Sequence, residues 1–175
     1  MAEIRVRELN GHQAQTITDG AAQLGFLQRH GLTYERWPIE KLDVAAAKAS
    51  GDVQGYILST FADEVSRLKA ERGYVEADVI ALTPETPNLE AILAKFDKEH
   101  QHSGDEVRFV VSGRGIFTIH SAQDDAVFDV EVHPGDLLIV PDGTWHWFDL
   151  CEDQQIQCIR VFTDTAGWVA HYRAA

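Results

Sequence analysis

The first half of the chain alternates between helical and extended patterns of apolar residues. Residues 4–9 alternate apolar with polar side chains, which predicts a half-buried strand. Residues 21–30 and 43–50 have helical spacing, and each stretch is followed by a glycine, Gly31 or Gly51, that can end a helix. This part of the chain is therefore expected to be rich in helices.

A longer amphipathic stretch predicts one continuous helix over residues 53–72, ended by Gly73. Its apolar stripe consists of Ile57, Leu58, Phe61, Val65 and Leu68. Residues 74–83 then alternate and predict a strand. Beyond a proline-containing break, Asn88 is a candidate cap for a short helix that carries Leu89, Ile92, Leu93 and Phe96.

From residue 99 onward, short apolar runs are separated by turns that contain glycine or proline. The runs predict strands at residues 107–111, 116–119, 127–132, 137–140, 145–150 and 156–162. The turns at residues 112–115 and 133–136 predict two hairpins. Regularly spaced antiparallel strands predict a barrel or jelly roll, so we expect a mainly β fold with helical decoration. We expect one domain over residues 1–175, helix-rich to about residue 98, with the barrel motifs at about 99–163.

Length and charge restrict the possible functions. A chain of 175 residues is long enough to bury a substantial core. The formal net charge of −13 argues against binding to nucleic acid or to an anionic membrane, because both attract basic surfaces. The start of the chain lacks the apolar core of a signal peptide, and no apolar run is long enough to span a membrane. We therefore expect a cytoplasmic monomer that binds a small molecule.

Polar groups are concentrated where the strand-rich half begins, in the stretch EHQHSGDEVRF at residues 99–109. On a strand, His100 and His102 share a face, and a hairpin partner that starts at Glu106 could bring a carboxylate to the same point. Two imidazoles and a carboxylate suit a divalent first-row transition metal. An H-x-H pair alone is often only an exposed pair of side chains, so the longer pattern has to carry the prediction.

The longer pattern adds a second motif. Residues 107–112 separate Glu106 from Gly113, and further along the chain come Gly135, Pro141, Gly143 and His146. This pair of motifs resembles that of the cupin superfamily, whose members are small double-stranded β-helices with the two motifs facing each other inside a barrel. The resemblance implies that His100, His102, Glu106 and His146 form a three-histidine, one-carboxylate metal set. Two positions depart from the usual cupin pattern, with Ala94 in place of a glycine and Leu150 in place of an asparagine.

The flanking sequence is more specific. The segments Tyr-Glu-Arg-Trp-Pro at 34–38, Glu-His-Gln-His at 99–102, Asp-Glu-Val-Arg at 105–108 and Val-Pro-Asp-Gly-Thr-Trp-His at 140–146 together resemble the acireductone dioxygenase family of methionine salvage. The resemblance extends over nearly the whole chain. Glu99 and Asp105 belong to the family pattern, although their spacing indicates no role as ligands.

The family resemblance implies oxidation of the acireductone 1,2-dihydroxy-3-keto-5-methylthiopentene by dioxygen, with one Fe(II) or Ni(II) per chain and no organic cofactor. The Fe(II) form is expected to give 4-methylthio-2-oxobutanoate and formate. The Ni(II) form is expected to give methylthiopropionate, formate and carbon monoxide. An octahedral ion with four protein ligands keeps two positions open, which suits chelation of an ene-diol anion through adjacent oxygens.

Two arginines are candidates for stabilising that anion. Arg108 lies two residues after Glu106 on the same strand face, and Arg160 lies in an apolar run, where an unpaired guanidinium would be costly. The resemblance implies that both lie near the substrate, and that Phe96 and Trp168 line a pocket for the methylthio tail. Arg108 could instead pair with Asp105 or Glu99, Arg160 could occupy an exposed edge, and the two aromatic residues could belong to the core.

Two other functions fit the ligand pattern. One is a different metal-dependent cupin enzyme, of the oxalate oxidase or decarboxylase type, and the other is a non-catalytic cupin that binds a small molecule. The absence of a basic recognition helix argues against a DNA-binding regulator. The remaining histidines have no ligand-like spacing: His12, His30, His120, His133 and His171.

Overall fold

The computed structural model describes residues 1, 3–8 and 10–174. In that part of the chain the helices are α1 (Gly20–Arg29), α2 (Val44–Ala49), α3 (Val53–Thr60), α4 (Ala62–Arg72) and α5 (Leu89–Leu93), with a 3₁₀ turn at Ile39–Lys41. The strands of the first half are β1 (Ile4–Arg7), β2 (Gln13–Ile17), β3 (Thr33–Arg36) and β4 (Glu76–Leu82). Those of the second half are β5 (His100–Gln101), β6 (Glu106–Gly113), β7 (Gly115–His120), β8 (Val127–Val132), β9 (Asp136–Val140), β10 (Trp145–Leu150), β11 (Ile156–Phe162) and β12 (His171–Tyr172).

The strands form two antiparallel sheets. Sheet A has the order β12-β5-β10-β7-β8-β1-β2, and sheet B has the order β3-β9-β6-β11-β4. From β6 to β11 the chain passes back and forth between the sheets, except for the hairpin of β7 and β8. This is the arrangement of a jelly roll, and the predicted cupin barrel with helical decoration is confirmed.

Two apolar clusters hold these layers together. The first lies between the sheets and joins Phe117 and Phe128 of sheet A to Leu138 and Cys158 of sheet B. The second lies on the outer side of sheet B, where helices α3 and α4 cover Phe109 and its neighbours. Strand β6 is therefore covered on both faces, with Glu106 and Arg108 facing the barrel interior and Val107 and Phe109 facing the helices. The same alternation carries polar groups into the interior without disturbing the apolar layer behind them.

The predicted continuous helix over residues 53–72 is wrong in one respect. The chain forms two helices that meet at Phe61, whose backbone (φ −105°, ψ 21°) lies outside the helical range. The Phe61 ring is completely buried, with its centroid 4.7 Å from that of Phe109 and 6.3 Å from that of Trp37. Packing of this ring against the sheet accompanies the break, while the predicted apolar stripe still faces the core.

The two predicted hairpins are also wrong. The turn at residues 112–115 leads from β6 in sheet B to β7 in sheet A, and the turn at residues 133–136 leads from β8 in sheet A to β9 in sheet B. The strand positions agree with the prediction, because they depend on local alternation. The partners differ, because a jelly roll pairs strands that are distant in sequence.

The ends of other elements differ in detail. The first strand ends at Arg7, and Leu9 of the predicted strand lies outside the described residues. Asn88 precedes α5 but makes no capping hydrogen bond through its side chain, because its backbone is in the left-handed region (φ 58°). Among the described residues, no helix combines the length and the apolar character needed to cross a membrane.

A substitution at Gly113, at the end of β6, tests the close packing where the chain crosses from sheet B to sheet A. Its φ is +70°, and a Cβ built there would lie 2.1 Å from the Gln155 carbonyl oxygen. We expect Gly113→Ala to lower the free energy of unfolding of chelator-treated protein by about 3 kcal/mol.

Gly51 is the matched control, since its φ is +76° but no atom lies within 4 Å of the added Cβ. Gly51→Ala should cost about 1 kcal/mol, the cost of the backbone conformation alone. Equal losses for the two variants in urea unfolding would contradict the crowding at Gly113.

Candidate metal centre

Four buried polar side chains converge inside the barrel. His100 lies on β5, His102 directly follows β5, Glu106 begins β6, and His146 lies on β10, paired in register with His100. Each of the four residues is at most 4 % exposed. One potential ligand atom from each residue lies within 4.8 Å of the others. The site is thus held by both sheets, and the expectation that Glu106 joins the histidines as their hairpin partner is wrong: β5 and β6 belong to opposite sheets.

Backbone carbonyls fix the orientation of all three imidazoles. The Nδ1 atom of His100 lies 2.6 Å from the Lys98 oxygen, that of His102 lies 2.9 Å from the Val169 oxygen, and that of His146 lies 2.8 Å from the Thr144 oxygen. A carbonyl oxygen only accepts, so each Nδ1 donates its hydrogen to that oxygen. In the neutral ring this leaves a lone pair on Nε2, which is the arrangement of metal-binding histidines.

Two of those Nε2 atoms, on His102 and His146, contact the Glu106 carboxylate. Oε2 of Glu106 lies 2.8 Å from Nε2 of His146 and 2.9 Å from Nε2 of His102. Nε2 of His102 is fully buried, and its contact with Oε2 lacks the geometry of a hydrogen bond. Lone pairs on nitrogen and carboxylate oxygen repel one another unless a cation or a proton lies between them. Neutral nitrogen and anionic oxygen donors in this set fit a divalent first-row transition metal.

The pKa shifts follow from burial and from this mutual contact. Burial lowers the pKa of His100 to about 4, so this ring stays neutral near pH 7. Burial opposes ionisation of Glu106 as well, but Arg108 and the adjacent histidines outweigh it and hold the pKa of Glu106 well below its usual range. Burial also opposes the charge on His102, yet the neighbouring carboxylate prevails and raises the pKa of His102. The site therefore retains a carboxylate ready to bind a cation.

Arg108 lies directly behind the cluster. It is 4 % exposed, and its Nε donates to Oε1 of Glu106 over 2.7 Å. Its guanidinium carbon lies 5.1 Å from the ring centroids of both Phe148 and Trp168. The alternative pairings of Arg108 with Asp105 or Glu99 do not occur, because Glu106 is its partner. Burial raises the pKa of the neighbouring Cys158 thiol to about 11, so the cysteine adds no negative charge here.

Arg160 lies further out. Its Nε and Nη2 atoms donate to Oδ1 and Oδ2 of Asp78 over 2.8 and 2.5 Å. Strand β11 pairs with β4 on one side and β6 on the other, so the alternative of an exposed edge position is wrong. The side chain is 26 % exposed and lies over the ring of Trp168, with 5.6 Å between the guanidinium carbon and the centroid.

Phe96 and Trp168 lie on two different cavities. Phe96 lines a largely apolar cavity of about 380 Å³ together with Phe148, Arg108 and Arg160. Trp168 lines a more polar cavity of about 400 Å³ and shares Arg160 with the first. Both rings are close to the cluster, with centroids 6.0 Å apart for Phe96 and His100 and 6.2 Å apart for Trp168 and His102. Phe148 was not among the predicted site residues, although strand alternation puts it on the same face as His146.

Glu99 and Asp105 form hydrogen bonds that hold the segment carrying His100, His102 and Glu106 in place. Glu99 accepts a hydrogen bond from Nδ1 of His120 over 2.7 Å, and it pairs with Arg173 at 3.4 Å. Asp105 accepts hydrogen bonds from the Tyr74 hydroxyl and the Asp142 amide, over 2.7 and 3.0 Å. Neither carboxylate belongs to the four-residue cluster.

The jelly-roll barrel encloses a buried set of three histidines and one glutamate beside a cavity. Together these features define a metal-binding cupin enzyme. A family model described as ARD/ARD' family matches residues 28–170. Curated relatives called acireductone dioxygenase are 43 % identical in Bacillus thuringiensis subsp. konkukian (strain 97-27) and 42 % identical in Bacillus cereus (strain ATCC 10987 / NRS 248). Each of these alignments covers 98 % of this chain and 100 % of the relative.

A solved structure agrees with these relatives. The acireductone dioxygenase from Bacillus anthracis, with a cadmium ion in its active centre, superposes with a TM-score of 0.90 at 42 % identity, over 98 % of either chain. The chain belongs to the ARD/ARD' family, the family of the acireductone dioxygenases. It is thus a metal-dependent dioxygenase with a three-histidine, one-glutamate metal site.

The buried pair of Arg108 and Glu106 gives a stability test. Arg108→Met leaves a buried carboxylate without its counter-charge, so we expect chelator-treated protein to lose about 3 kcal/mol of unfolding free energy. Arg114→Met is the matched control, because Arg114 is 40 % exposed and its contact with Asp153 is 3.4 Å long. The control should cost less than about 1 kcal/mol. A similar small loss for both variants in urea unfolding would count against the electrostatic role of Arg108.

Proposed function

We propose that this enzyme oxidises 1,2-dihydroxy-3-keto-5-methylthiopentene with dioxygen, as a step of methionine salvage in the cytoplasm. In this proposal Fe(II) directs the reaction to 4-methylthio-2-oxobutanoate and formate, and Ni(II) directs it to methylthiopropionate, formate and carbon monoxide. The observation that carries the proposal is the convergence of three imidazole nitrogens and one carboxylate oxygen within 4.8 Å of one another, beside a cavity with an apolar wall.

His100, His102, Glu106 and His146 are the proposed ligands of a single ion. A bound Fe(II) or Ni(II) supplies Lewis acidity and open coordination positions for an ene-diol. The chain holds the ligands in the correct tautomer through the three carbonyl contacts at Nδ1. Because one chain provides all four side chains, the geometry supports a functional monomer.

Arg108 and Arg160 are proposed to stabilise the substrate anion. Arg108 keeps its Nε on Glu106, so the guanidinium has further donors for an oxygen of the substrate. Both arginines lie on the wall of the apolar cavity. A fixed positive charge next to the bound ene-diol lowers its pKa and thereby favours the electron-rich anion that reacts with dioxygen.

The apolar cavity is the proposed place for the methylthio tail. The aromatic residues Phe96 and Phe148 line it together with the aliphatic residues Ile80, Leu82, Ile92 and Leu93. Such a wall favours a substrate with an apolar tail and offers nothing comparable to oxalate, which has no apolar atoms to bury. Trp168 is proposed to hold both guanidiniums against its ring rather than to line the tail cavity.

Turnover of the acireductone tests the reaction directly. We expect protein loaded with either Fe(II) or Ni(II) to accelerate the loss of the ultraviolet absorbance of the acireductone under air. Only the Ni(II) protein should release carbon monoxide. Chelator-treated protein is the control. Decay at the background rate with both metals would contradict the proposed substrate.

Replacement of ligands tests the metal assignment separately. Glu106→Ala and His146→Ala should lower bound Ni(II) at least about tenfold and abolish the rise in melting temperature on adding Ni(II), because metal binding is linked to folding. His133→Ala is the control, since His133 lies in a turn and contacts Glu131 at 2.9 Å. Full occupancy by elemental analysis in both ligand variants would show that the assignment is wrong.

A further inference from the structure

A second carboxylate-guanidinium pair lies beside the pair formed by Glu106 and Arg108. Arg160 is in register with Arg108 on one neighbouring strand and with Asp78 on the other, so the three charges lie in a row across sheet B. Two like charges opposite each other on neighbouring strands are unfavourable. Glu106 compensates the first guanidinium and Asp78 the second.

The contact with Asp78 also selects which edge of Arg160 remains available. The Asp78 carboxylate accepts one hydrogen bond from Nε and one from Nη2. Nη1 has no hydrogen-bond partner within the part of the chain that the structure describes. A guanidinium is planar and its donors are fixed relative to one another. Binding of one edge to Asp78 therefore sets the direction of the other.

The position of Arg160 explains why this direction matters. Arg160 is shared by the apolar cavity and the polar cavity, and so forms part of the partition between them. The polar cavity contains two further carboxylates, Glu76 and Asp164, that could attract a guanidinium released from Asp78. The contact with Asp78 instead holds Arg160 at the partition.

We propose that Asp78 is a positioning residue that binds the Nε–Nη2 edge of Arg160 and thereby presents the Nη1 edge to the anionic substrate in the apolar cavity. This inference rests on the proposed role of Arg160 toward an anionic substrate. Asp78 itself does not touch the substrate and acts only through Arg160.

Asp78→Asn tests the proposal because the amide keeps the shape but loses the charge and one acceptor. We expect kcat/KM for the acireductone to fall about fivefold, the scale of one partly exposed ion pair, mainly through a higher KM and with unchanged metal content. Glu76→Gln is the matched control: it lies two residues away on the same strand and on the same polar cavity, and should leave kcat/KM unchanged.

A double-mutant cycle separates positioning from a general structural effect. If Asp78 acts through Arg160, Asp78→Asn should have no further effect on kcat/KM in an Arg160→Gln background. An equal loss in both backgrounds, no loss in the native background, or a gain in kcat/KM would each overturn the proposal. An Arg160→Gln variant with native kcat/KM would overturn it as well.

An equilibrium measurement keeps this inference distinct from the proposed reaction. Binding of the 4-methylthio-2-oxobutanoate anion to the protein as purified, followed by isothermal titration calorimetry, should weaken about fivefold in Asp78→Asn and not in Glu76→Gln. If the native protein fails to oxidise the acireductone but shows this loss of affinity, the proposed function fails and the role of Asp78 stands. Unchanged affinity in Asp78→Asn would contradict the role of Asp78 whatever the reaction.

Discussion

The metal centre and the barrel interior depend on one constraint, the burial of the negatively charged Glu106 carboxylate. It is 3 % exposed, so its negative charge must be compensated from within the barrel. Arg108 binds Oε1, and His102 and His146 face Oε2. The arginine secures ionisation of the carboxylate, while the histidines leave a place where a divalent cation satisfies all the facing lone pairs. Stability and metal binding are thus two consequences of one buried charge.

The architecture explains how these groups reach one point. The two sheets face each other. Strands β5 and β10 are neighbours in sheet A, and β6 lies in sheet B, so strands that are distant in sequence bring the ligands together. The segment before β12 also contributes, since the Val169 carbonyl orients His102, and β12 pairs with β5. Helices α3 and α4 cover the other face of sheet B, so that the strand carrying Glu106 and Arg108 is buried on both sides. The polar interior therefore lies on a rigid support.

Much of this arrangement could be predicted from the sequence, and the exceptions have a common physical cause. Local alternation indicated most of the barrel strands, and the resemblance of the two motifs to those of cupins implied the cluster of His100, His102, Glu106 and His146 that the structure brings together. Pairing of strands is not a local property, which is why both hairpins were wrong. The break at Phe61 likewise depends on tertiary packing of its ring, and helical periodicity carries no sign of it.

The same distinction applies to the arginines. Sequence spacing indicated that Arg108 lies next to Glu106, but the partner of Arg160 is Asp78 on a strand far away in sequence. The two-residue strand β12 escaped prediction because two residues have no recognisable period. Residues that orient the ligands, such as Val169, act through backbone carbonyls that any amino acid provides. The chemistry of the ligands is thus visible in the sequence, and their support is visible only in the fold.

X-ray absorption spectroscopy of the Ni(II)-loaded protein would test the central claim most directly. The account predicts one nickel per chain in a six-coordinate shell of nitrogen and oxygen, with the outer-shell scattering of three imidazoles. A shell that contains sulfur, or scattering from fewer than three imidazoles, would contradict it.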